Sequence, residues 1–201
     1  AREARAPVAP EDAARLLSAG FDIVVEKSGA RAIPDAAYAD IGCRMTETGS
    51  WRTAPLDAII LGVKELPHDG PLCHRHIHFG HVFKDQTGWR EDLARFRDGG
   101  GTLYDLEFLV DDAGRRVAAF GYWAGYAGAA LGLLLWAGVA NGHTPPLPAI
   151  EPVAGQDELL ARVKAALDGG TPTALITGAL GRCGRGATDM LTGVGIDPTR
   201  W

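Results

Sequence analysis

Short apolar runs alternate with amphipathic stretches through the first part of the chain. Glu11 to Ala19 has helical spacing, with Pro10 near its start and Gly20 after its end, the positions where these residues punctuate a helix. Phe21 to Glu26 reads as a strand, Pro34 to Tyr38 opens a short helix, and Gly42 to Met45 suggests another strand. The run Ala58-Ile-Ile-Leu-Gly-Val63 predicts a buried strand and Ile77 to Phe83 a further one. Thr87 to Phe96 is predicted helical, and Thr102 to Val110 returns to strand. Strands and helices alternating at this spacing favour an α/β fold with a parallel sheet flanked by helices.

From Val117 to Ala140 no residue is charged, a stretch long enough to cross a bilayer. Gly121, Gly125, Gly128, Gly132 and Gly138 recur among alanines, which suits a helix that packs backbone to backbone against a sheet or a second helix. A buried core helix is therefore expected over a membrane span. His143-Thr-Pro-Pro-Leu-Pro148 breaks regular structure and reads as a linker, and Asp157 to Leu167 has helical periodicity. The apolar run Ala174 to Thr177 then breaks into Gly178-x-x-Gly181-x-x-Gly184, a relative of the dinucleotide-binding turn. Glycines there let the backbone approach a pyrophosphate whose oxygens meet the free N–H groups of the next helix; a plain structural turn would look similar. The expected domains are 1–121, a connecting helix and linker over 122–150, and 151–201 as the opening of a second α/β domain. The acidic residue that holds ribose hydroxyls would lie beyond the last residue, so a longer protein is expected.

The chain has 201 residues, a formal net charge of -5 and three cysteines without CxxC spacing. The charge argues against nucleic acid or an anionic membrane surface as partner, and the cysteines suit a reducing cytoplasm over a disulfide scaffold. The polar start, Ala1-Arg-Glu-Ala-Arg5, shows no secretory leader.

Lys64 and Glu65 follow the strand ending at Val63, and ligand sites of open parallel sheets form outside such carboxyl ends. A surface Lys–Glu pair is the alternative. In an extended segment His74, His76 and His78 share one side, a pattern that permits a metal site if further ligands converge. His81, between Gly80 and apolar Val82, is expected inside, as a proton shuttle or as a histidine satisfied by a carbonyl. Tyr104, Leu106 and Phe108 would alternate with Asp105 and Glu107. Arg5, Arg115 and Arg116 are candidates to grip carboxylates or phosphates.

Several stretches carry a resemblance: Glu3-Ala-Arg5, Trp51-Arg-Thr-Ala-Pro55, Leu61-Gly-Val-Lys-Glu65, His74-Arg-His-Ile-His-Phe-Gly-His81 and Lys84-Asp-Gln-Thr-Gly-Trp89. Gly101 to Leu109, Gly114 to Gly121 and Gly178 to Gly184 continue it. In this order the chain resembles the lysine-forming, NAD-dependent saccharopine dehydrogenases, relatives of alanine dehydrogenase. The resemblance implies two Rossmann-like domains with parallel sheets, the second represented here by its opening strand-turn-helix unit, and an active site in the cleft between them. It implies oxidative cleavage of saccharopine by NAD and water to lysine, 2-oxoglutarate and NADH. Lys64 matches the family's base for the secondary amine, His81 the acid–base group for imine hydrolysis, and Glu65 and Glu107 the carboxylates that tune them. Arg5, Gln86, Arg116, Lys84 and Phe120 match residues near the substrate. Arg115 matches the cofactor side, and Gly178, Gly181, Arg182 and Gly184 the pyrophosphate turn. The implied chemistry needs no metal, and a polypeptide of these residues alone is expected to be inactive. Another amino-acid or opine dehydrogenase, or a non-catalytic module that keeps the fold, remains open.

Overall fold

A computed structural model describes residues 3–64, 69–83, 87–144, 146 and 149–200. The chain divides into two compact units, Ala1–Ala119 and Phe120–Trp201.

The first unit opens with α1 (Pro10–Ser18), β1 (Val24–Glu26), α2 (Asp35–Ala39) and β2 (Arg44–Thr46). Pro10 starts α1, and Glu11 and Asp12 place negative charge in its first turn, where the helix dipole favours it. Ala13, Tyr38 and Cys43 form the buried core beneath a parallel β1–β2 pair in the register Val25↔Met45. The Tyr38 hydroxyl donates to the Val8 carbonyl at 2.7 Å, tying α2 to the segment before α1. The Glu26 carboxylate at the end of β1 accepts from the Trp51 N–H at 2.8 Å and so caps the 3-10 turn Ser50–Thr53.

A three-stranded parallel sheet follows, in the order β3 (Ile59–Leu61), β4 (Arg75–His78), β5 (Thr102–Asp105), with α3 (Trp89–Gly99) crossing between β4 and β5. Ile60 pairs with His76, and His76 with Leu103. Two strand expectations are corrected. The strand placed over Ile77 to Phe83 occupies Arg75–His78, because the buried face there is built from histidines and the strand ends before the turn at Val82-Phe83. The strand expected over Thr102 to Val110 stops at Asp105, whose carboxylate accepts from the Glu107 N–H and starts a 3-10 turn over Leu106–Phe108. The Tyr104/Leu106/Phe108 alternation is lost with it.

The second unit holds α4 (Tyr122–Ala140), α5 (Gln156–Leu167), β6 (Leu175–Ile176), α6 (Arg182–Gly193) and β7 (Thr199–Arg200). β6 and β7 are parallel, with Leu175 opposite Thr199 and Ile176 opposite Arg200. Tyr126, Ala130, Leu133 and Ala137 of α4 are buried with Val163 of α5 and Met190 of α6. Glycines on both α4 and α6 do what their size permits: a Cβ on Gly125 of α4 would lie 1.8 Å from the Cys183 carbonyl oxygen, and one on Gly186 of α6 1.9 Å from that of Tyr122. α4 begins at Tyr122, five residues after the uncharged stretch does, since Val117 lies in a hairpin where its N–H donates to the Leu109 carbonyl. The helix is long and apolar enough to cross a membrane by length and composition. It buries one face only; Trp123, Leu131, Leu135 and Val139 are exposed. Residues 145, 147 and 148 of the expected linker lie outside the described residues.

Candidate active site

The carboxyl ends of β3, β4 and β5 carry the first group of candidates. Beyond the strands, the Gly62 N–H donates to Ile77 and the Phe79 N–H to Val63, each at 3.1 Å. The β3–β4 ladder thus runs on to the residue before Lys64, which is exposed at its end. On β4 the chain passes through Gly80 to His81, whose φ of 55° lies in the left-handed region that few side-chain residues adopt. On β5 the turn capped by Asp105 directs Glu107 inward, where only 8% of its side chain is exposed.

These turns bring together residues far apart in sequence. His81 Nδ1 lies 3.6 Å from Glu107 Oε2, and an Arg116 terminal nitrogen donates to the same oxygen at 2.9 Å. The first distance is that of an ion pair once the imidazole is protonated, and too long for a hydrogen bond in the neutral form. Arg116 also donates to the Ala118 carbonyl at 3.2 Å. It reaches the site through an antiparallel hairpin in which Val110 bridges Arg116. The result is a buried carboxylate held between a permanent cation and a titratable ring at the open end of a parallel sheet. Such a set places an imidazole, a carboxylate and a guanidinium where they can share charge and hydrogen bonds with a bound molecule.

Three histidines, His74 just before β4 and His76 and His78 on it, form a buried row. His74, His76 and His78 are 1%, 1% and 5% exposed, and neighbouring rings meet edge to face with centroids 6.3 Å apart. His74 Nε2 donates to the Ala54 carbonyl at 2.9 Å, while His76 sits between the edges of Trp51 and Phe96. Burial is the main cause that pushes His76 down to about 4 and lowers His78. Among the described residues no group of three or more histidines, cysteines or carboxylates is arranged to hold a metal. The row is an aromatic core layer.

In the second unit, Gly178 follows β6 with a φ of 69°, a conformation that suits a residue without a side chain. The turn closes as the Gly181 N–H donates to the Gly178 carbonyl at 3.0 Å. Gly181 is the N-cap of α6 with no side-chain cap, and Arg182 is exposed in the first helical turn. A Cβ on Gly184 would lie 2.2 Å from the Gly178 carbonyl oxygen, so only glycine permits this close return of helix on turn. The first-turn N–H groups of a helix have no partner within it, the general property that lets such a turn receive an anion.

The family described as Alanine dehydrogenase/PNT, N-terminal domain, matches residues 1–127. The chain belongs to this family. It is 48% identical over 202 residues to a Saccharopine dehydrogenase [NAD(+), L-lysine-forming] of Yarrowia lipolytica, covering 96% of this chain and 55% of that one. It is 46% identical over 213 residues to the protein of the same name from Candida albicans, covering 96% and 56%. The chain thus spans about half the length of the curated relatives it matches. Among solved structures, an L-alanine dehydrogenase superposes with a TM-score of 0.55 at 16% identity, covering 96% of this chain and 50% of that one. That similarity concerns the fold.

The resemblance to saccharopine dehydrogenases and the α/β fold with parallel sheets are thereby established. Arg5 pairs with Glu3 at 2.6 Å and holds that carboxyl down at about 2. Arg115 pairs at 2.9 Å with Asp111 across the tip of the hairpin, beside but apart from the Arg116–Glu107 contact. Phe120 is 56% exposed and opens the second unit. Glu65, Lys84 and Gln86 lie outside the described residues. One site residue was not singled out from the sequence: Asp105. An aspartate two residues before a turn N–H is a local signal for such a cap, and the apolar alternation around it concealed the signal.

Proposed function

We propose that the protein is an NAD-dependent, lysine-forming saccharopine dehydrogenase working in the cytoplasm, without nucleic acid or membrane as partner. The observation that carries the reading is identity at 48% of the aligned positions with a protein of that name, over 96% of the chain. The His81–Glu107–Arg116 cluster supports it chemically.

Losing hydride from the carbon beside the secondary amine of saccharopine requires the nitrogen lone pair, hence a base to take its proton. Lys64, exposed at the end of β3, has that role. Hydrolysis of the imine then requires proton transfer to and from water. His81 moves those protons at its ring nitrogens, and Glu107, ion-paired to Arg116, stabilises the imidazolium when it forms. Arg116 is 37% exposed and can meet a substrate carboxylate with its remaining donors; Arg5 offers a second guanidinium. Glu65 is proposed, with Glu107, as a carboxylate that tunes the catalytic pair; Lys84, Gln86 and Phe120 complete the proposed substrate-side set, with Arg115 on the cofactor side.

The glycine turn fits a dinucleotide: it offers uncapped N–H groups, and Gly184 closes on Gly178 where a side chain could not. Gly178, Gly181, Arg182 and Gly184 would hold the pyrophosphate of NAD, which when bound accepts the hydride.

The test is NADH formation by the full product of the gene encoding this chain, with saccharopine, alanine or lysine as sole substrate. Saccharopine is expected to be oxidised, with losses of about a hundredfold in Lys64→Met and His81→Asn. Oxidation of alanine in preference to saccharopine would overturn the assignment, as would calorimetry showing no binding of NAD.

A further inference from the structure

We propose that Asp105 is a positioning residue of this site, its carboxylate fastening the His81 loop to the Glu107 turn. One oxygen, Oδ1, accepts from the Gly80 N–H at 3.2 Å and from the Glu107 N–H at 3.0 Å. Those two donors belong to segments that leave different strands, one next to the imidazole and the other on the residue whose carboxylate faces it. A single side chain therefore fixes the separation of the two functional groups from both sides.

Three further observations support this role. His81 has its backbone in the left-handed region, a conformation that persists only where the surroundings hold it, and the Gly80 N–H, one residue earlier, is held by Asp105. The loop also lies close against the side chain: a Cβ on Gly80 would be 3.5 Å from Asp105 Oδ2 and 3.4 Å from His78 Nε2. Finally, Oδ2 is buried with no hydrogen-bond partner among the described residues, a state that costs stability. An aspartate retained with one oxygen unsatisfied is poor design for folding alone, and such local violations gather at functional sites. Geometry makes Asp105 neither a proton donor nor a substrate ligand. It acts through Gly80 and Glu107.

The kinetic consequence rests on the proposed saccharopine reaction; the structural one does not. The experiment compares Asp105→Ala, Asp105→Ser and Asp105→Asn by NMR of the histidine rings and by saccharopine-dependent NADH formation. Asn keeps an acceptor for both N–H groups, whereas Ser can cap the Glu107 turn but falls short of Gly80. His74, bonded to the Ala54 carbonyl, serves as the internal reporter of fold. The expected result is an unchanged His74 ring signal in the Ser and Asn variants. The His81 signal moves to that of a mobile ring in Ser and Ala, and Asn returns it to the wild-type position. In parallel kcat falls about ten- to a hundredfold in Ser and Ala, with KM for saccharopine within about twofold and rescue by Asn. A His81 signal unmoved in Asp105→Ser, with His74 intact, overturns the positioning role whatever the substrate. Should the ring signals behave as expected while the wild type fails to oxidise saccharopine, the assigned reaction falls and the positioning role stands.

Discussion

Replacing His76 by leucine should flatten the acid side of the stability curve. His76 is 1% exposed, flanked by the edges of Trp51 and Phe96, and both ring nitrogens lack a hydrogen-bond partner among the described residues. Burial is the largest cause of its lowered proton affinity, followed by the neighbouring His78 and His74 and by Arg95, which moves it from 6.5 to about 4. In the folded protein the ring is therefore neutral where the unfolded chain already binds a proton. The contribution is fully present above pH 6.5 and is lost as pH falls towards about 4. At about 1.4 kcal/mol for each pH unit separating the two values, the whole loss is about 3 kcal/mol, and about 2 kcal/mol of it falls between pH 7 and pH 5. Leucine has similar volume and cannot ionise. Urea denaturation of wild type and His76→Leu across that range measures the effect directly, since only the difference in slope matters and not the stability at any one pH. Wild type should lose about 2 kcal/mol more than the variant over that interval. Parallel pH dependences would refute the argument, because they would mean that the ring is either protonated in the fold or free to reach water.

Three further outcomes are expected. Gly125→Ala should destabilise the second unit by about 2–4 kcal/mol in thermal or chemical denaturation, since its Cβ would meet the Cys183 carbonyl oxygen at 1.8 Å; Gly128→Ala, on an exposed position of the same helix with open space around it, should instead gain about 0.5–1 kcal/mol. Arg31→Ala should cost about 2 kcal/mol, because the 10% exposed guanidinium joins Asp35, the carbonyls of Glu26 and Ile33 and the face of Tyr38. Glu107→Gln should lower saccharopine-dependent NADH formation about tenfold or more with the fold retained, as judged by circular dichroism, because the amide cannot offset an imidazolium on His81.

The positions of the strands built from aliphatic runs were legible in the sequence, with β3 inside Ala58–Val63 and β6 inside Ala174–Thr177. Their burial was not: the strand expected to be buried over Ala58–Val63 leaves Ile59 and Leu61 exposed, and Leu175 of β6 is exposed as well, because hydropathy marks a strand without saying what covers its faces. β4 was displaced because its buried face is made of histidines, which a hydrophobic count treats as polar, while apolar Phe79, Val82 and Phe83 drew the expected strand onwards through Gly80. β5 was overextended because alternation continued past the point where the Asp105 carboxylate, a local competitor for backbone N–H groups, ended the ladder. The close helix–helix contact was foreseeable from the glycines of α4, though not which glycine meets which carbonyl. The functional cluster was legible only by residue type and resemblance. His81, Glu107 and Arg116 come from three separate turns, and no local pattern in a sequence encodes their meeting.

The distribution of unsatisfied polar groups gives this cluster a thermodynamic character of its own. Apart from the Tyr126 hydroxyl, every buried side-chain atom without a partner among the described residues belongs to His76, His78, His81, Asp105 or Arg116. All of these lie on β4, at the end of β5, or in the turns that follow. Each such atom costs about 1–3 kcal/mol relative to a satisfied one, so this end of the sheet is held less firmly than packing alone would achieve. The same groups would have been easy to pair or replace by apolar residues if stability were their only purpose. Low dielectric around the His81 ring and the Glu107 carboxylate strengthens the attraction between them once the imidazole is charged, a condition that suits a proton-transferring pair. The cost and the proposed chemistry therefore have one origin: polar side chains kept out of water on β4, at the end of β5 and in the turns that follow.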